Sequence, residues 1–334
     1  MSNVENAPAI FQTVVTIAKD ARQKIEWNKL ISAMILPFLG IIMFLVIWNV
    51  LASKVNTSLG TFPGPTQVWE QTKNLYAEDL AERKKAKAFY QRQEKRNEER
   101  VKDDPGYKPK IRPYTGKPTF INQIGTSLIT VLTGFILASL IAIPIGIVIG
   151  LSSPLYAAIN PLVQLFKPIS PLAWLPLVTM VVSAVYVSSD PMFEKSFVNS
   201  VITVMLCCLW PTVINTAVGV AGVSKDLVNV SKVLRLGWFT HVRKIVLPSS
   251  IPMVFTGLRL SLSIAWMVLI AAEMLAQNPG LGKFVWDEFQ NGSSNSLSRI
   301  MVAVIVIGLI GFLLDRIMLG LQKLVSWDKS AVLK

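Results

Sequence analysis

The chain has 334 residues, of which 52% are hydrophobic and 16% are charged, and its formal net charge is +13. An average soluble domain has about 25% charged residues, and here residues 71–120 alone hold 22 of the 53 charged side chains. The rest of the chain has too little polar surface for a soluble fold, so the composition indicates an integral membrane protein. The basic residues lie between apolar runs without interleaved aromatics, which argues against nucleic-acid binding.

The reactive residue types point away from enzyme chemistry. Cys207 and Cys208 are adjacent within an apolar run and cannot join distant segments, so they are expected to be small core residues. His241 is the single histidine, which leaves no cluster of metal ligands. The sequence has no phosphate-binding loop of the GxxxxGK[ST] type, so we expect no cofactor and no nucleotide hydrolysis in this chain.

Apolar runs long enough to cross a bilayer recur along the chain. The first covers residues 31–52, and a helix needs about 20 residues to cross the hydrocarbon core. Residues 1–30 place apolar side chains on one helical face, which predicts an amphipathic cytoplasmic segment on the membrane surface; a frayed terminus is the alternative. We predict six transmembrane helices. Five is the alternative, because prolines interrupt the third run. The later runs are 126–150, 171–189, 197–221, 251–275 and 299–321.

A charged insertion, residues 53–120, separates the first two apolar runs. Within it, Ala77–Val101 is rich in residues that favour helix. The sequence Asp104-Pro105-Gly106 is expected to end that helix. Two interpretations stay open: a solvated helical insertion, and a docking arm for an extracytoplasmic partner.

The distribution of positive charge predicts the orientation in the membrane. Segment 223–250 and the tail 322–334 carry a basic excess, whereas loop 276–298 has more acidic than basic side chains. Because basic loops stay in the cytoplasm, six spans would place both termini and segment 223–250 inside. The long insertion would then be extracytoplasmic, since loops of that length largely escape the rule.

The segment 224–248 is amphipathic and lies between two spans. It predicts a short helix parallel to the membrane that could pass motion from a soluble partner into the spans. In that interpretation Leu227, Val230 and Leu234 are apolar anchors and polar residues face the partner. An ordinary interfacial helix is the alternative.

This segment resembles the cytoplasmic loop of the permease subunits of binding-protein-dependent ABC importers. Their loop has an E-A-A triplet, a glycine four residues later, and a closing I-x-L-P, which Ile245, Leu247 and Pro248 match. The family glycine falls on Arg235, and Gly237 comes two residues later. The E-A-A triplet falls on Asn229, Val230 and Ser231.

The flanking sequence strengthens the resemblance. Four stretches look like the nitrate, sulfonate and taurine branch, and most of all like nitrate, nitrite, cyanate and bicarbonate permeases: FPGPTQVW (62–69), INPLVQLFKPISPLAWLPL (159–177), LPSSIPMVFTGLRLSLSIAWMVLIAAEMLAQNPGLGKFVWDE (247–288) and DRIMLGLQKLVSW (315–327). The resemblance covers essentially residues 120–327 and part of 55–70, and the charged insertion 71–118 is not part of the common family core.

The resemblance implies an all-α type I importer permease in the bacterial inner membrane, with a core over residues 121–321. Two copies of this permease as a homodimer, or one copy with a homologue, would form the pore. Two ATPase subunits, which bind ATP and Mg, would dock on the loop helices. A solute-binding protein would deliver substrate outside. The residues expected to contact the ATPase are Asn229, Val230, Ser231, Arg235, Gly237, Trp238 and Pro248.

Ionisable residues within the spans are candidates for the transport route. On the fifth span, Arg259, Ser263, Trp266 and Glu273 share one helical face, with Arg259 nearer the cytoplasm, where it could favour the exit of an anion. An arginine that snorkels or binds backbone carbonyls is the alternative. The predicted route residues are Arg259, Ser263, Trp266, Glu273, Lys167, Trp174 and Asn215.

We therefore predict the permease subunit of an ATP-driven importer for nitrate or a related small oxyanion. An aliphatic sulfonate such as taurine is the alternative within the class. A secondary anion transporter is a further alternative, disfavoured by the few acidic residues within the spans.

Overall fold

The computed structural model describes residues 35–57, 60–104, 106–187 and 191–325, and most of these residues are helical. The predicted amphipathic segment 1–30 lies outside the described residues, as does the tail beyond residue 325. The chain divides into two compact units, with the boundary between Trp69 and Glu70.

The first unit contains one apolar helix, α1 (Ile35–Ala52), within the first predicted span. Nearly all of its side chains are exposed, as expected for a helix that faces lipid. The Trp48 indole donates to the Pro63 carbonyl (3.1 Å). A short antiparallel hairpin of β1 (Asn56–Thr57) and β2 (Gly60–Thr61) lies between them in sequence.

The charged insertion forms one long helix, α2 (Pro65–Asp103), of 39 residues. The helix predicted at Ala77–Val101 is confirmed, and it begins earlier because Pro65 suits a first turn and the Gln67 side chain accepts from Gly64 N (3.1 Å). At 1.5 Å per residue, α2 is about 58 Å long.

The chain returns alongside α2 as an extended segment. Gln93 forms two hydrogen bonds with the backbone of Arg112 (2.9 and 3.1 Å), and Tyr114 N donates to the Tyr90 hydroxyl (3.1 Å). These bonds hold the two segments side by side. We call residues 70–119 the arm.

Four further helices are long and apolar enough to cross a membrane, and they contain four of the five later predicted runs: 126–150, 197–221, 251–275 and 299–321. The four helices are α3 (Phe120–Gly150), α6 (Lys195–Ala221), α9 (Leu247–Ala276) and α11 (Ser296–Val325). A short helix, α8 (Trp238–His241), and a π-helical turn (Val242–Val246) lead into α9 without a break.

The central helix of the second unit is α6, which packs chiefly against α3 and α9. Close approach depends on glycines of the neighbouring helices. A Cβ on Gly146 would lie 2.6 Å from Thr216 Cβ, and one on Gly257 would lie 2.8 Å from Asn215 Cβ. Gly150, one turn after Gly146, is packed equally closely, because a Cβ on Gly150 would lie 2.6 Å from the Ala217 carbonyl oxygen.

The third predicted span, 171–189, differs from expectation. Its helix α5 (Pro171–Val185) has 15 residues, rises about 22 Å and is too short to cross the hydrocarbon core alone. It forms a bent pair with α4 (Ser153–Phe166), at an angle of 97°. Prolines at 168 and 171 remove backbone donors at the break. The described residues therefore contain five spans, or six if the bent pair is one broken span.

Two short helices complete the second unit. The first, α7 (Lys225–Val233), lies between α6 and α8, and the second, α10 (Leu281–Asn291), lies between α9 and α11.

Candidate functional site

The helix α7 occupies the position predicted for the ATPase-coupling segment, and its ends are well defined. Ser224 caps its first turn by accepting from Leu227 N (3.4 Å). At the other end, Leu236 N donates to the Ser231 carbonyl and Arg235 N donates to the Lys232 carbonyl, both at 3.1 Å. This pair of bonds is a Schellman motif, which ends a helix with one residue in the left-handed conformation.

That left-handed residue is Arg235, with φ of +48°. The family glycine was placed on this residue by counting along the sequence. A glycine adopts positive φ without steric cost, whereas an arginine pays about 1 kcal/mol. The backbone at this position thus has the conformation that favours glycine, although the residue is an arginine. Gly237, by contrast, has an ordinary φ of −63° at the start of α8.

One side-chain hydrogen bond joins α7 to α8. His241 Nδ1 lies 2.8 Å from Ser231 Oγ, and Ser231 is the only buried residue of α7. Directly after His241, Val242 and Val246 are buried against Ile147 of α3. The bond therefore connects α7 to a segment that is packed on the transmembrane helices.

The predicted apolar anchors do not pack into this chain. Leu227, Val230 and Leu234 are exposed, and the buried contact of α7 is made by Ser231 instead. The role of these three side chains as anchors stays a prediction, and the contact of α7 with α8 is made by Ser231. The other expected coupling residues Asn229, Trp238 and Pro248 are also exposed, and Trp238 and Phe239 extend the apolar surface. We call Leu227, Val230, Val233, Leu234, Trp238 and Phe239 the coupling surface.

Glu273, near the end of α9, is completely buried. Its carboxylate accepts from Ser127 Oγ of α3 (2.8 and 2.9 Å) and from Gly282 N of α10 (3.0 Å). Ser127 Oγ also accepts from Leu281 N (2.8 Å). The Glu273 carboxyl group thus joins three helices, and its hydrogen bonds offset the cost of burying a polar group.

The glycines that follow α9 make room for this carboxylate. A Cβ on Gly280 would clash with the Glu273 carboxylate, and one on Gly282 would clash with the Ile270 carbonyl oxygen. Gln277 ends α9 in the left-handed conformation, with φ of +56°. Part of the AAEMLAQNPGLG segment is therefore explained by a turn that wraps around a buried carboxylate.

Arg259 of α9 pairs with Asp315 of α11. The guanidinium Nε and Nη2 donate to the two carboxylate oxygens at 2.5 and 3.0 Å. Their side chains are 37% and 24% exposed. Sequence reasoning missed this partner, which is 56 residues away, although an acidic residue inside a predicted span was a signal for one.

The cavity beside this ion pair measures about 220 Å³. Ser263 Oγ, which donates to the Arg259 carbonyl (3.1 Å), and the Trp266 ring line it. Trp266 Nε1 donates to the Ile307 carbonyl (3.0 Å), and Gly311 lets the ring approach α11, since a Cβ there would lie 3.0 Å from the ring. Three of the predicted route residues, Arg259, Ser263 and Trp266, therefore share one cavity.

The remaining predicted route residues lie elsewhere. Lys167 is exposed at the end of α4, and Asn215 Nδ2 donates to the Pro211 carbonyl (2.8 Å) within α6. Trp174 stacks on Phe166 with ring centroids 6.1 Å apart, and Phe166 stacks on Trp210 at 5.8 Å. The three-ring stack joins the two sides of the α4–α5 bend to α6.

A larger cavity, of about 750 Å³, lies where the arm meets α10 and the first turns of α3 and α11. Arg299 crosses this region and pairs with Glu78 of the arm (2.7 Å) and Glu288 of α10 (2.9 Å). Asp79 accepts from Thr119 Oγ1 (2.6 Å), which ties the last residue of the arm to α2.

At the base of the arm, the Tyr114 hydroxyl donates to a carboxylate oxygen of Glu82 (2.7 Å). This bond, with a smaller contribution from Lys85, lowers the pKa of Glu82 below its usual value. The same bond raises the pKa of Tyr114, because loss of its proton would place two negative charges together.

A bundle of helices long and apolar enough to cross a membrane, with an ion pair beside a cavity between two of them, is the architecture of a multi-pass membrane protein. Residues 142–327 match the family of binding-protein-dependent transport system inner membrane components. The chain belongs to this family, and the predicted membership is confirmed. It is a transport subunit and not an enzyme.

Named relatives align with most of the chain. The bicarbonate transport system permease protein CmpB of Synechococcus elongatus is 32% identical over 299 residues, which cover 89% of this chain and 91% of that protein. The nitrate import permease protein NrtB of a Synechocystis species is 34% identical over 289 residues, which cover 86% and 88%.

A solved structure of the MetNI methionine ABC transporter in inward-facing conformations is also similar. The TM-score is 0.53 at 13% identity, and the match covers 62% of this chain and 95% of that one. At this identity the likeness shows the fold alone, and it confirms the predicted fold of importer permeases.

Proposed function

We propose that this chain is the permease subunit of an ATP-driven importer that moves nitrate, or a related small oxyanion, inward by alternating access. The observation that carries the proposal is the similarity, over 86% of the chain, to a permease named for nitrate import. Arg259 also brings a cation to a cavity between two membrane-crossing helices, which suits a route for an anion.

The proposed assembly follows from the family. Two permease copies form the pore, two ATPase subunits bind ATP and Mg, and a solute-binding protein delivers the anion from outside. The coupling surface is the proposed ATPase contact, because a group of exposed apolar side chains is typical of a protein interface. In this proposal, segment 223–250 and both termini lie in the cytoplasm, and the arm lies on the extracytoplasmic side.

Bicarbonate is the second candidate substrate. The relative named for bicarbonate transport matches 89% of the chain at 32% identity, so the two names have similar support. Both anions are small, planar and singly charged, and one cationic site suits either of them.

The test is ATP hydrolysis by the reconstituted permease–ATPase complex with its binding protein. Nitrate, nitrite, cyanate, bicarbonate and taurine are compared at equal concentration. Stimulation by nitrate and not by bicarbonate supports the nitrate proposal, and the reverse result selects bicarbonate. Stimulation by taurine alone would overturn the oxyanion assignment. Failure of any ATPase subunit to co-purify would contradict the importer itself.

The arm is proposed as a docking surface for the binding protein, and its bonds define a clean deletion. Joining Tyr90 to Tyr114 through a short Gly-Ser linker removes the outer part and keeps the Glu82–Tyr114 and Arg299–Glu78 contacts. A loss of affinity for the binding protein supports docking. Unchanged affinity selects the alternative, a solvated insertion.

A further inference from the structure

The Arg259–Asp315 pair lies deep within the membrane-crossing helices. Arg259 is twelve residues after Leu247, where α9 begins, and Asp315 is ten residues before Val325, where α11 ends. At 1.5 Å per residue these positions lie about 18 Å and 15 Å from the helix ends. Both charges are therefore remote from the ends of their spans.

The polar face at this depth does not suit lipid. The Arg259 and Asp315 side chains are partly exposed, and Ser263, one turn along α9, is exposed as well. Charged groups in hydrocarbon are costly, so they face a protein partner or a water-filled route. The 220 Å³ cavity beside them is large enough for a small oxyanion, and its lining includes both charges.

The chemistry of the pair is that of anion recognition. The guanidinium offers two parallel donors to the two carboxylate oxygens. A planar oxyanion such as nitrate or bicarbonate presents two oxygens in nearly the same arrangement as a carboxylate. The pair uses two of the five N–H donors of Arg259, and no other side-chain hydrogen bond of Arg259 is present within the described residues.

We propose that this cavity is a binding site for a small planar oxyanion, with Arg259 as its ligand and Asp315 as a built-in competitor. Asp315 occupies the guanidinium when the cavity is empty and releases it when the anion arrives. Its negative charge also weakens anion binding, so the anion can leave. A transport site needs such moderate affinity, since tight binding would stop the flow of substrate. This inference rests on the proposed function and adds the residue that sets the affinity.

The test measures anion binding directly, because the affinity of the whole importer is also set by the binding protein. The permease–ATPase complex in lipid nanodiscs is titrated with sodium nitrate, with sodium chloride keeping the ionic strength constant, and its thermal unfolding midpoint is recorded. We expect the midpoint of the wild type to rise with nitrate. Asp315→Asn should give the same rise at about tenfold lower nitrate, because a like charge beside the site is removed.

Two further variants keep the test decisive. Arg259→Gln should abolish the response. The double variant Arg259→Gln with Asp315→Asn leaves no unpaired charge, so it is expected to assemble and to show no response. Asp287→Asn is the matched control, because it removes a carboxylate from an exposed pair with Lys283 and should titrate like the wild type.

A wild-type titration curve in Asp315→Asn, or a full response in the double variant, would overturn the proposal. The wild-type ATPase assay separates the two inferences. If nitrate stimulates ATP hydrolysis while the Arg259 variants still respond to nitrate, the proposed function stands and this site fails. If no oxyanion stimulates hydrolysis while the nitrate response needs Arg259, the site stands and the proposed function fails.

Discussion

Ser231 and His241 connect the small helix α7 to the transmembrane bundle through a 2.8 Å contact between Oγ and Nδ1. Ser231 is buried, whereas the apolar side chains of α7 are exposed. His241 is followed directly by the π-helical turn that leads into α9. This contact therefore gives α7 a second connection to the long helix, besides the backbone of residues 234–237.

Replacing His241 with Ala should weaken the transmission of motion between the ATPase subunits and the pore. We expect transport per ATP hydrolysed to fall severalfold, because α7 loses its side-chain bond to α8. The measurement is substrate uptake and ATP hydrolysis in the same proteoliposomes. His241→Asn keeps a side-chain hydrogen-bonding group near Ser231 and should recover part of the coupling. An unchanged ratio in His241→Ala would show that the contact has no part in coupling.

Replacing Arg235 with Gly should stabilise the end of α7. The residue has φ of +48°, a conformation that glycine adopts without strain, so the expected gain is about 1 kcal/mol. The measurement is hydrogen exchange of the α7 amides, which should slow in the variant. Arg235→Ala removes the same charge but keeps the strain, so it should not slow exchange. Equal protection in both variants would assign the effect to charge.

Replacing Ser127 with Ala should destabilise the second unit by about 2–3 kcal/mol. The change removes a donor from the buried Glu273 carboxylate and leaves Leu281 N without its acceptor. Thermal unfolding in detergent is the measurement. Ser139→Ala is a control on the same helix, since Ser139 Oγ bonds only within its own helix, to Phe135, and its loss should cost little. Equal effects of the two changes would contradict the role assigned to Ser127.

Replacing Gly146 with Ala should disturb the contact between α3 and α6. The added Cβ would lie 2.6 Å from Thr216 Cβ, so the helices must separate, at a cost of about 1–3 kcal/mol. Gly125→Ala on the same helix meets no atom within 4 Å and should be neutral or slightly stabilising. Thermal unfolding of both variants tests the prediction, and equal midpoints would show that the helix pair tolerates the extra methyl.

The base of the arm should depend on pH. The pKa of Glu82 is lowered in the folded protein from its ordinary value of 4.5. The hydrogen bond from Tyr114 to Glu82 therefore stabilises the fold above pH 4.5, and this stabilisation is lost as the pH falls through the folded pKa. The pKa of Tyr114 is raised, so its contribution is present below its ordinary value of 10.0 and is lost as the pH rises through the folded pKa.

Hydrogen exchange near residues 78–86 and 112–118, corrected for intrinsic rates, should therefore be slowest between about pH 5 and 9. The Tyr114→Phe variant removes the donor and should flatten this dependence. The neutral bonds between Gln93 and Arg112 provide an internal reference, because the glutamine does not titrate. A pH dependence that persists in Tyr114→Phe would assign it to another group.

Local sequence was sufficient for the class of protein, the family and the positions of most helices. Apolar runs of about 20 residues predict spans because the bilayer requires that length, and α3, α6, α9 and α11 cover four of the six predicted runs. The end of the arm helix followed equally well, because Asp104-Pro105-Gly106 cannot continue it. The glycine position of the coupling loop could be found by counting, and it coincides with the left-handed residue Arg235.

The partners of the charged side chains required the folded structure. Arg259 meets Asp315 across 56 residues, and Glu273 meets Ser127 across 146 residues. Both pairs depend on how α9 packs against its neighbours. The 97° bend between α4 and α5 could not be predicted from hydropathy either. Hydropathy gives the length and apolarity of a run but not the direction of its helix. Periodicity assigns a residue to a face of one helix, whereas the group opposite that face is set by the packing of separate helices.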